Sequence, residues 1–339
     1  MNYFLILVLC IVNVTARASN VPEGDRVNGE NGWYIPQTNG SLVWMDLEEA
    51  ESYLNHAERL STNPVTFLLY TSANPNNGHK ITASSKSIEN SPFNPKNPTR
   101  ITIHGWNAGR NDYVNWGIRK AFLSHGNHNI ITVDWNRGRS VDYASSVLAV
   151  SGVGKKVANL IDFLITKHGL QLRDVEIIGH SLGAHVAGFS GKYVKSGQVH
   201  AIIGLDPALP LYHYNKPSKR LSLTDAHYVE TIQTNGGQLG FLKPIGKGSF
   251  YPNGGKSQPG CGIDLIGSCA HSRSIIYYVE AIERDNFASV ECESYNSAIA
   301  KNCGTTYSSV RMASSSNPFT AEGVFYVPVN KGSPYGKLE

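Results

Sequence analysis

Charge of one sign is scarce in this sequence. Its 30 basic and 26 acidic side chains leave a formal charge of only +4 over 339 residues. The basic residues are scattered rather than gathered into the stripe that a nucleic-acid footprint requires, so no nucleic-acid partner is expected. Long apolar runs are scarce too. The one at the start, MNYFLILVLCIVNVTA, has about a dozen apolar residues, fewer than the roughly 20 needed to span a bilayer. It ends in small residues at Val14 and Ala16 and reads as a secretory signal over residues 1–16, which leaves no transmembrane segment and an extracellular destination. Cysteine is rare as well. Of five, Cys10 leaves with the signal, and Cys261, Cys269, Cys292 and Cys303 remain. An even set in an exported chain implies disulfides, and four cysteines allow three connectivities. Joining neighbours, Cys261 to Cys269 and Cys292 to Cys303, is preferred because all four lie late in the chain. Reduced thiols or zinc are the alternatives, but neither pair has the two-to-four-residue gap of a zinc knuckle. Export would also make Asn39-Gly40-Ser41 usable as a glycosylation acceptor.

What is present is a globular composition. A 41% hydrophobic fraction beside 17% charged residues allows a large core and argues against disorder. Residues 17–60 are rich in Asn-Gly turns, with a helix-like stretch near Asp46 to Arg59, and read as an N-terminal arm. Strand-like runs then recur at Val65 to Tyr70, Arg100 to His104, Asn129 to Asp134, Val175 to Gly179, Ala201 to Leu205 and Tyr228 to Gln233. Helical stretches alternate with them, notably Tyr143 to His168 and Leu182 to Val194, and a final helix is expected at Ser272 to Arg284. Strands alternating with long helices predict an α/β fold with a largely parallel sheet and helices on both faces. Runs such as Ile-Ile-Thr-Val are apolar and β-branched, as in strands buried on both faces. From Gly236 to Gly262 periodicity is lost, and a long irregular loop is expected. One catalytic domain over 61–330 with a short tail at 331–339 accounts for the whole pattern.

The chemistry concentrates at Gly179-His180-Ser181-Leu182-Gly183, which follows an apolar strand and opens a helix. That is the context of a nucleophile elbow, in which a sharp turn lifts the serine Oγ above the sheet and the glycines let strand and helix pass closely. A serine hydroxyl attacks only when a base takes its proton and a carboxylate orients that base. On this kind of sheet the acid and then the histidine follow the serine. Asp206, at the end of Ala-Ile-Ile-Gly-Leu, is the best acid, ahead of Asp225 and Asp264. His271, after Cys269 and before the last helix, is the best base of twelve histidines, with His213 and His227 as rivals. The oxyanion needs two preorganised donors. The amide of Leu182 supplies one, and the amide of Trp106, after Ile-Thr-Ile-His104-Gly105, supplies the other. His104 itself is expected to be a hydrogen-bonded structural residue.

With Ile-His-Gly-Trp, Val-Asp-Trp, Gly-His-Ser-Leu-Gly-Ala-His, Gly-Leu-Asp-Pro-Ala and Cys-Ala-His-Ser-Arg-Ser in this order, the chain resembles the pancreatic lipase family from about Asn63 to Val327. Within that family it looks similar to the insect digestive and venom members, where lipases and phospholipases A1 mingle. The resemblance implies an α/β-hydrolase fold, and Ser181, Asp206 and His271 as a triad beside Trp106 and Leu182; the C-terminal β-sandwich by which vertebrate members bind colipase is a departure, not expected in this chain. The resemblance implies a glycerolipid substrate at a lipid–water interface, and without that sandwich no colipase is expected. In the family the cysteine pair before the histidine closes a lid, yet here only the seven residues Gly262 to Ser268 lie between Cys261 and Cys269. So short a lid resembles that of phospholipases A1 and implies an open cleft. Members often bind Ca²⁺ through acids after the catalytic aspartate. Here Arg220 and Asp225 are recognisable, but Ser222 and Pro217 stand where acids belong, so no metal and no cofactor is expected. Within enzymes, a galactolipase or a strict triacylglycerol lipase is the alternative. Outside them, the alternative is a yolk-protein-like lipid carrier.

Overall fold

The computed structural model describes residues 19–56, 63–313 and 319–338. The expected signal, and the end of the expected helix toward Arg59, lie outside these residues. Twelve strands are described: β1 Gly32–Pro36, β2 Leu42–Asp46, β3 Val65–Tyr70, β4 His79–Ile81, β5 Thr99–Ile103, β6 Asn129–Trp135, β7 Val175–His180, β8 Ala201–Leu205, β9 Tyr228–Ile232, β10 Gly248–Pro252, β11 Val290–Cys292 and β12 Gly323–Val327. The helices are α1 Leu47–His56, α2 Ser85–Glu89, α3 Tyr113–Ser124, α4 Tyr143–His168, α5 Leu182–Tyr193, α6 Ser268–Arg284 and α7 Tyr295–Ala300. Among the described residues, β1 and β2 form a hairpin in the arm, and the other ten strands form one sheet in the order β11-β12-β10-β9-β8-β7-β5-β6-β3-β4. The centre is parallel, from β6 through β5, β7, β8, β9 and β10 to β12, and antiparallel pairs occur only toward the two edges.

Why the strands read as unbroken apolar runs is visible in the two faces. Ile177 and Ile202 belong to a core with α4 and α5, whereas the next residues, Ile178 and Ile203, belong to a core with α3 and α6. Successive side chains on a strand point to opposite faces, so a sheet covered on both sides needs apolar residues at every position. Helix α4 buries Val150, Val153, Val157, Ile161 and Leu164, a three-and-four spacing that faces one side. The Asp142 carboxylate accepts from the amides of Ala144 and Ser145 at its start, and Gly169 closes it at φ 78°.

Three expectations are corrected. The stretch Gly236 to Gly262 is not wholly irregular, because β10 lies in it and adds to the parallel sheet. Its five residues, Gly-Ser-Phe-Tyr-Pro, carry too few β-branched side chains to announce a strand, and it forms because β9 and β12 bracket it. Helix α6 starts at Ser268, not Ser272, so His271 lies in its first turn rather than before it. The arm also carries the β1–β2 hairpin, beyond the turns and helix expected there. No helix among the described residues is long and apolar enough to cross a membrane.

Candidate active site

The register of the sheet builds the site. Ile103 pairs with Gly179, and His180 pairs with Leu205, so β5, β7 and β8 end at one level. The residues that follow those ends are Gly105 and Trp106, Ser181, and Asp206. The chain also reverses direction across the sheet here, since β6 lies on one side of β5 and β7 on the other. That is a topological switch point, where open parallel sheets place their ligands. The ladder continues one residue past the strands: Ser181 N donates to Leu205 O at 3.0 Å and Asp206 N to Ile232 O at 2.8 Å.

Ser181 sits at φ 57°, ψ −123°, a region that a residue with a Cβ rarely enters. Its two glycines are required by contact. A Cβ on Gly179 would lie 2.1 Å from Gly183 O, and one on Gly183 would lie 2.3 Å from Ile103 O. Helix α5 begins directly after Ser181, so the amide of Leu182 is among those without an intrahelical acceptor, at the positive end of the helix. Gly105 passes so close that a Cβ there would meet Ser181 Cβ at 2.8 Å, which brings the chain leading to Trp106 against the serine. The Trp106 indole donates to Ser140 O at 2.7 Å and its ring lies edge-on to Tyr143. His104 is fully buried; its Nε2 accepts from Trp135 N at 3.3 Å, and Asp134 Oδ1 lies 3.5 Å from that nitrogen. It is the structural residue expected from the sequence.

The Asp206 carboxylate is fully buried and supplied with donors on both oxygens. His271 Nδ1 donates to Oδ2 at 2.5 Å, and Oδ1 accepts from Thr234 N at 2.7 Å and Asn235 N at 3.0 Å. Because a carboxylate only accepts, the Nδ1 proton is fixed there, and Nε2 is left as the basic nitrogen. The carboxylate fits only because position 240 is glycine, where a Cβ would lie 2.5 Å from both oxygens. Above His271 lies His180, ring centroids 4.5 Å apart, its Nε2 donating to His271 O at 3.3 Å. Burial, with the His271 ring beside it, pushes His180 well below the usual histidine range, so it stays neutral. Ser181 and His271 line one cavity of about 560 Å³, whose wall includes Trp106, Tyr143, Leu239 and Ile266.

The rivals fall elsewhere. Asp264 accepts from Cys269 N and Ala270 N and caps α6, and His213 packs edge-on against Trp33. His227 is exposed at the start of β9. Asp225 is buried against the Lys192 ammonium and accepts from Ser222 Oγ at 2.8 Å; burial pushes its carboxyl upward despite that partner. Arg220 spends its guanidinium on the carbonyls of His213, Tyr214 and Leu221. A dication does not fit a carboxylate that already faces an ammonium, so this donor set does not suit Ca²⁺. The other metal-like cluster among the described residues, Cys261, Asp264 and Cys269, has its two sulfurs joined to each other.

Four supporting parts escaped the sequence reading: the Thr234 and Asn235 amides, Gly240, the His180 ring and His185. The last is fully buried, donates from Nε2 to Ala208 O at 2.7 Å and accepts Leu221 N on Nδ1 at 3.1 Å. Burial holds it down to about 3, so it remains a neutral clamp between α5 and the segment after Asp206. The Thr-Asn-Gly-Gly turn after β9 is a visible signal for the amides, but only the fold shows that it faces Asp206. Both cysteine pairs preferred from the sequence, Cys261–Cys269 and Cys292–Cys303, are disulfides here, with Cα–Cα distances of 5.7 and 4.8 Å. Asn39 is exposed, and its neighbours Gly40 and Ser41 line the cavity rim.

A model of the lipase family matches residues 41–334. The pancreatic triacylglycerol lipase of Cavia porcellus is 36% identical over 263 residues, which cover 70% of this chain and 56% of that protein. A probable phospholipase A1, magnifin, of Vespa magnifica is 32% identical over 298 residues, covering 82% of this chain and 86% of its own. Phospholipase A1 VesT1.02 of Vespa tropica is 34% identical over 254 residues, covering 71% and 83%. The chain spans a little over half the length of the pancreatic relatives it matches.

Proposed function

The chain belongs to the lipase family, and on that premise we propose that it is an exported serine ester hydrolase that cleaves fatty acyl esters of glycerolipids. The observation that carries this reading is the Asp206–His271 hydrogen bond at 2.5 Å, set in the same cavity as Ser181 on its strained turn. His271 Nε2 takes the proton of Ser181 Oγ as Oγ attacks the acyl carbon. The charge that develops on the carbonyl oxygen is met by the amides of Trp106 and Leu182. Asp206, held by Thr234 N and Asn235 N, stabilises the imidazolium. The imidazolium returns its proton to the departing alcohol oxygen, and water then repeats the sequence on the acyl-enzyme, releasing the fatty acid and the free serine.

The substrate follows from the mouth. Seven residues between Cys261 and Cys269 cannot roof a cleft of this size, and an open cleft admits a bulky head group, which favours phospholipid. Export would place a glycan on Asn39 beside that mouth. Replacing Ser181→Ala is expected to lower hydrolysis of a long-chain ester by about 10⁴-fold or more. Wild-type turnover by that variant would overturn the reading and leave a lipid carrier in its place. In the same assay, strict preference for triacylglycerol over phosphatidylcholine and galactolipid would overturn the argument from the open mouth.

A further inference from the structure

Between the sheet and helices α3 and α6 lies a second cavity, of about 390 Å³, that the ester chemistry does not use. Arg100, Glu176, Ile203 and Glu230 line it from the strands, and Phe122 of α3 with Tyr278 and Ile282 of α6 line it from the helices. His125, exposed just after α3, stands at its rim. The volume is that of a small-molecule site. A strand position that faces a helical layer is ordinarily apolar, as Ile178 and Ile203 are. Three of the four strand side chains on this wall are charged instead.

These charges do not balance. One guanidinium, that of Arg100, faces two carboxylates, and its Nη2 lies 2.9 Å from Glu176 Oε1. The same guanidinium donates to Asp174 O and covers the Phe122 ring. Glu230 accepts from Ala313 N and Tyr228 OH, which fill two of about four lone-pair positions on its oxygens, and among the described residues no cation pairs with it. His128 supplies none, because it packs on Phe122 and burial lowers it below the usual histidine range. Tyr278 is only 3% exposed, yet its hydroxyl makes no hydrogen bond among the described residues. Burial, with Glu176 beside it, keeps that hydroxyl protonated. A buried hydroxyl is costly to leave without a partner, so its place on this wall points to an occupant. Water would satisfy the polar groups but not the apolar part of the lining, Phe122, Ile203, Ile282 and Phe319.

We propose that this cavity binds a small primary amine with an apolar body, its ammonium seated among Glu230, Glu176 Oε2 and the Tyr278 oxygen. A primary ammonium has three donors and no acceptor, which matches three accepting groups and one carboxylate in excess. The body lies against Phe122, Ile282 and Phe319. A quaternary ammonium has no N–H for these oxygens, and an anion would meet two carboxylates. The site is independent of the ester-hydrolase reading, and a chain inert toward esters is still expected to bind the amine.

Calorimetric titration of the whole protein compares 3-phenylpropylamine with 3-phenylpropan-1-ol, which has the same body and no charge. It is run at pH 8, because burial keeps a proton on Glu230 up to about 7. The amine is expected to bind at least about tenfold more tightly than the alcohol, and Glu230→Gln to weaken it by about tenfold. Tyr278→Phe is expected to weaken it by about threefold. Equal binding of amine and alcohol, or full-strength binding of the amine by Glu230→Gln, overturns the proposal. Position is read separately on the unaltered chain, so the test stands even where a variant fails to fold. Crystals soaked in 3-(4-bromophenyl)propylamine should show the bromine between α3 and α6. Bromine only beside Ser181, or none, overturns the proposal.

Discussion

The sheet buries carboxylates toward both ends of its parallel strands, and it surrounds them differently. At the C-terminal end, Asp206 receives two backbone amides and an imidazole N–H. In the middle of β9, and among the described residues, Glu230 receives one amide, Ala313 N at 2.9 Å, and one phenol, Tyr228 OH at 3.0 Å, and it shares its surroundings with the Glu176 carboxylate near the start of β7. Burial pushes Glu230 up to about 7 despite those two bonds. Glu176 is also pushed upward by burial, against the pull of Arg100, whose Nη2 lies 2.9 Å away. Burial alone therefore does not give a carboxylate the setting of Asp206. The difference is the density of donors, and at Asp206 the donors come from a turn 28 residues further along the chain.

The largest effect that would break this comparison is at the donor-rich end. Asp206→Asn should lower kcat on a soluble ester by about 10⁴-fold, because the amide no longer fixes the imidazole in the required tautomer. A loss under tenfold would mean that the pair is structural. At the other end, Arg100→Met should leave kcat per folded molecule intact and lower stability by about 3–5 kcal/mol in urea titration, since it strands the Glu176 charge. The smallest effect, and the one that sharpens the contrast, is in pH. Glu230 keeps its proton in the fold until about 7, whereas an unfolded glutamate loses it near 4.5. Its contribution is full below the unfolded value and declines as pH rises through the folded one, by up to roughly 3 kcal/mol across that window. Glu230→Gln should flatten the fall of melting temperature between pH 5 and 7, and an unchanged slope would remove Glu230 as its source.

The same contrast explains what could be read from residues alone. The centre of the sheet was legible because strands covered on both faces must be apolar at every position, and the Ser181 turn was legible because its two glycines flank the serine at fixed spacing between a strand and a helix, one needed against the other's carbonyl and the other against Ile103 O. Asp206 was legible by its place at the end of such a strand. The short strands β4, β10, β11 and β12 were not, since they take their form from neighbours rather than from their own pattern. Nor were the Thr234 and Asn235 amides, Gly240 or the clamp by His185. Backbone donors carry no signature in side-chain identity, and a glycine needed by a distant carboxylate looks like any glycine in a turn. Lys192 against Asp225 belongs to the same class, an ion pair made across 33 positions.

The loop between Cys261 and Cys269 has a consequence for how such a protein can change. Its two ends are held 5.7 Å apart by a covalent bond, one end continuing into the helix that carries His271. Any segment that leaves and returns at those two points can be lengthened or shortened at little cost in closure entropy, without shifting the strands that align the reacting groups. On the function proposed above, the frame that holds the reacting groups and the surface it meets are thus separately heritable: exchanging this one cassette would alter what reaches the cavity while the chemistry beneath it stays the same.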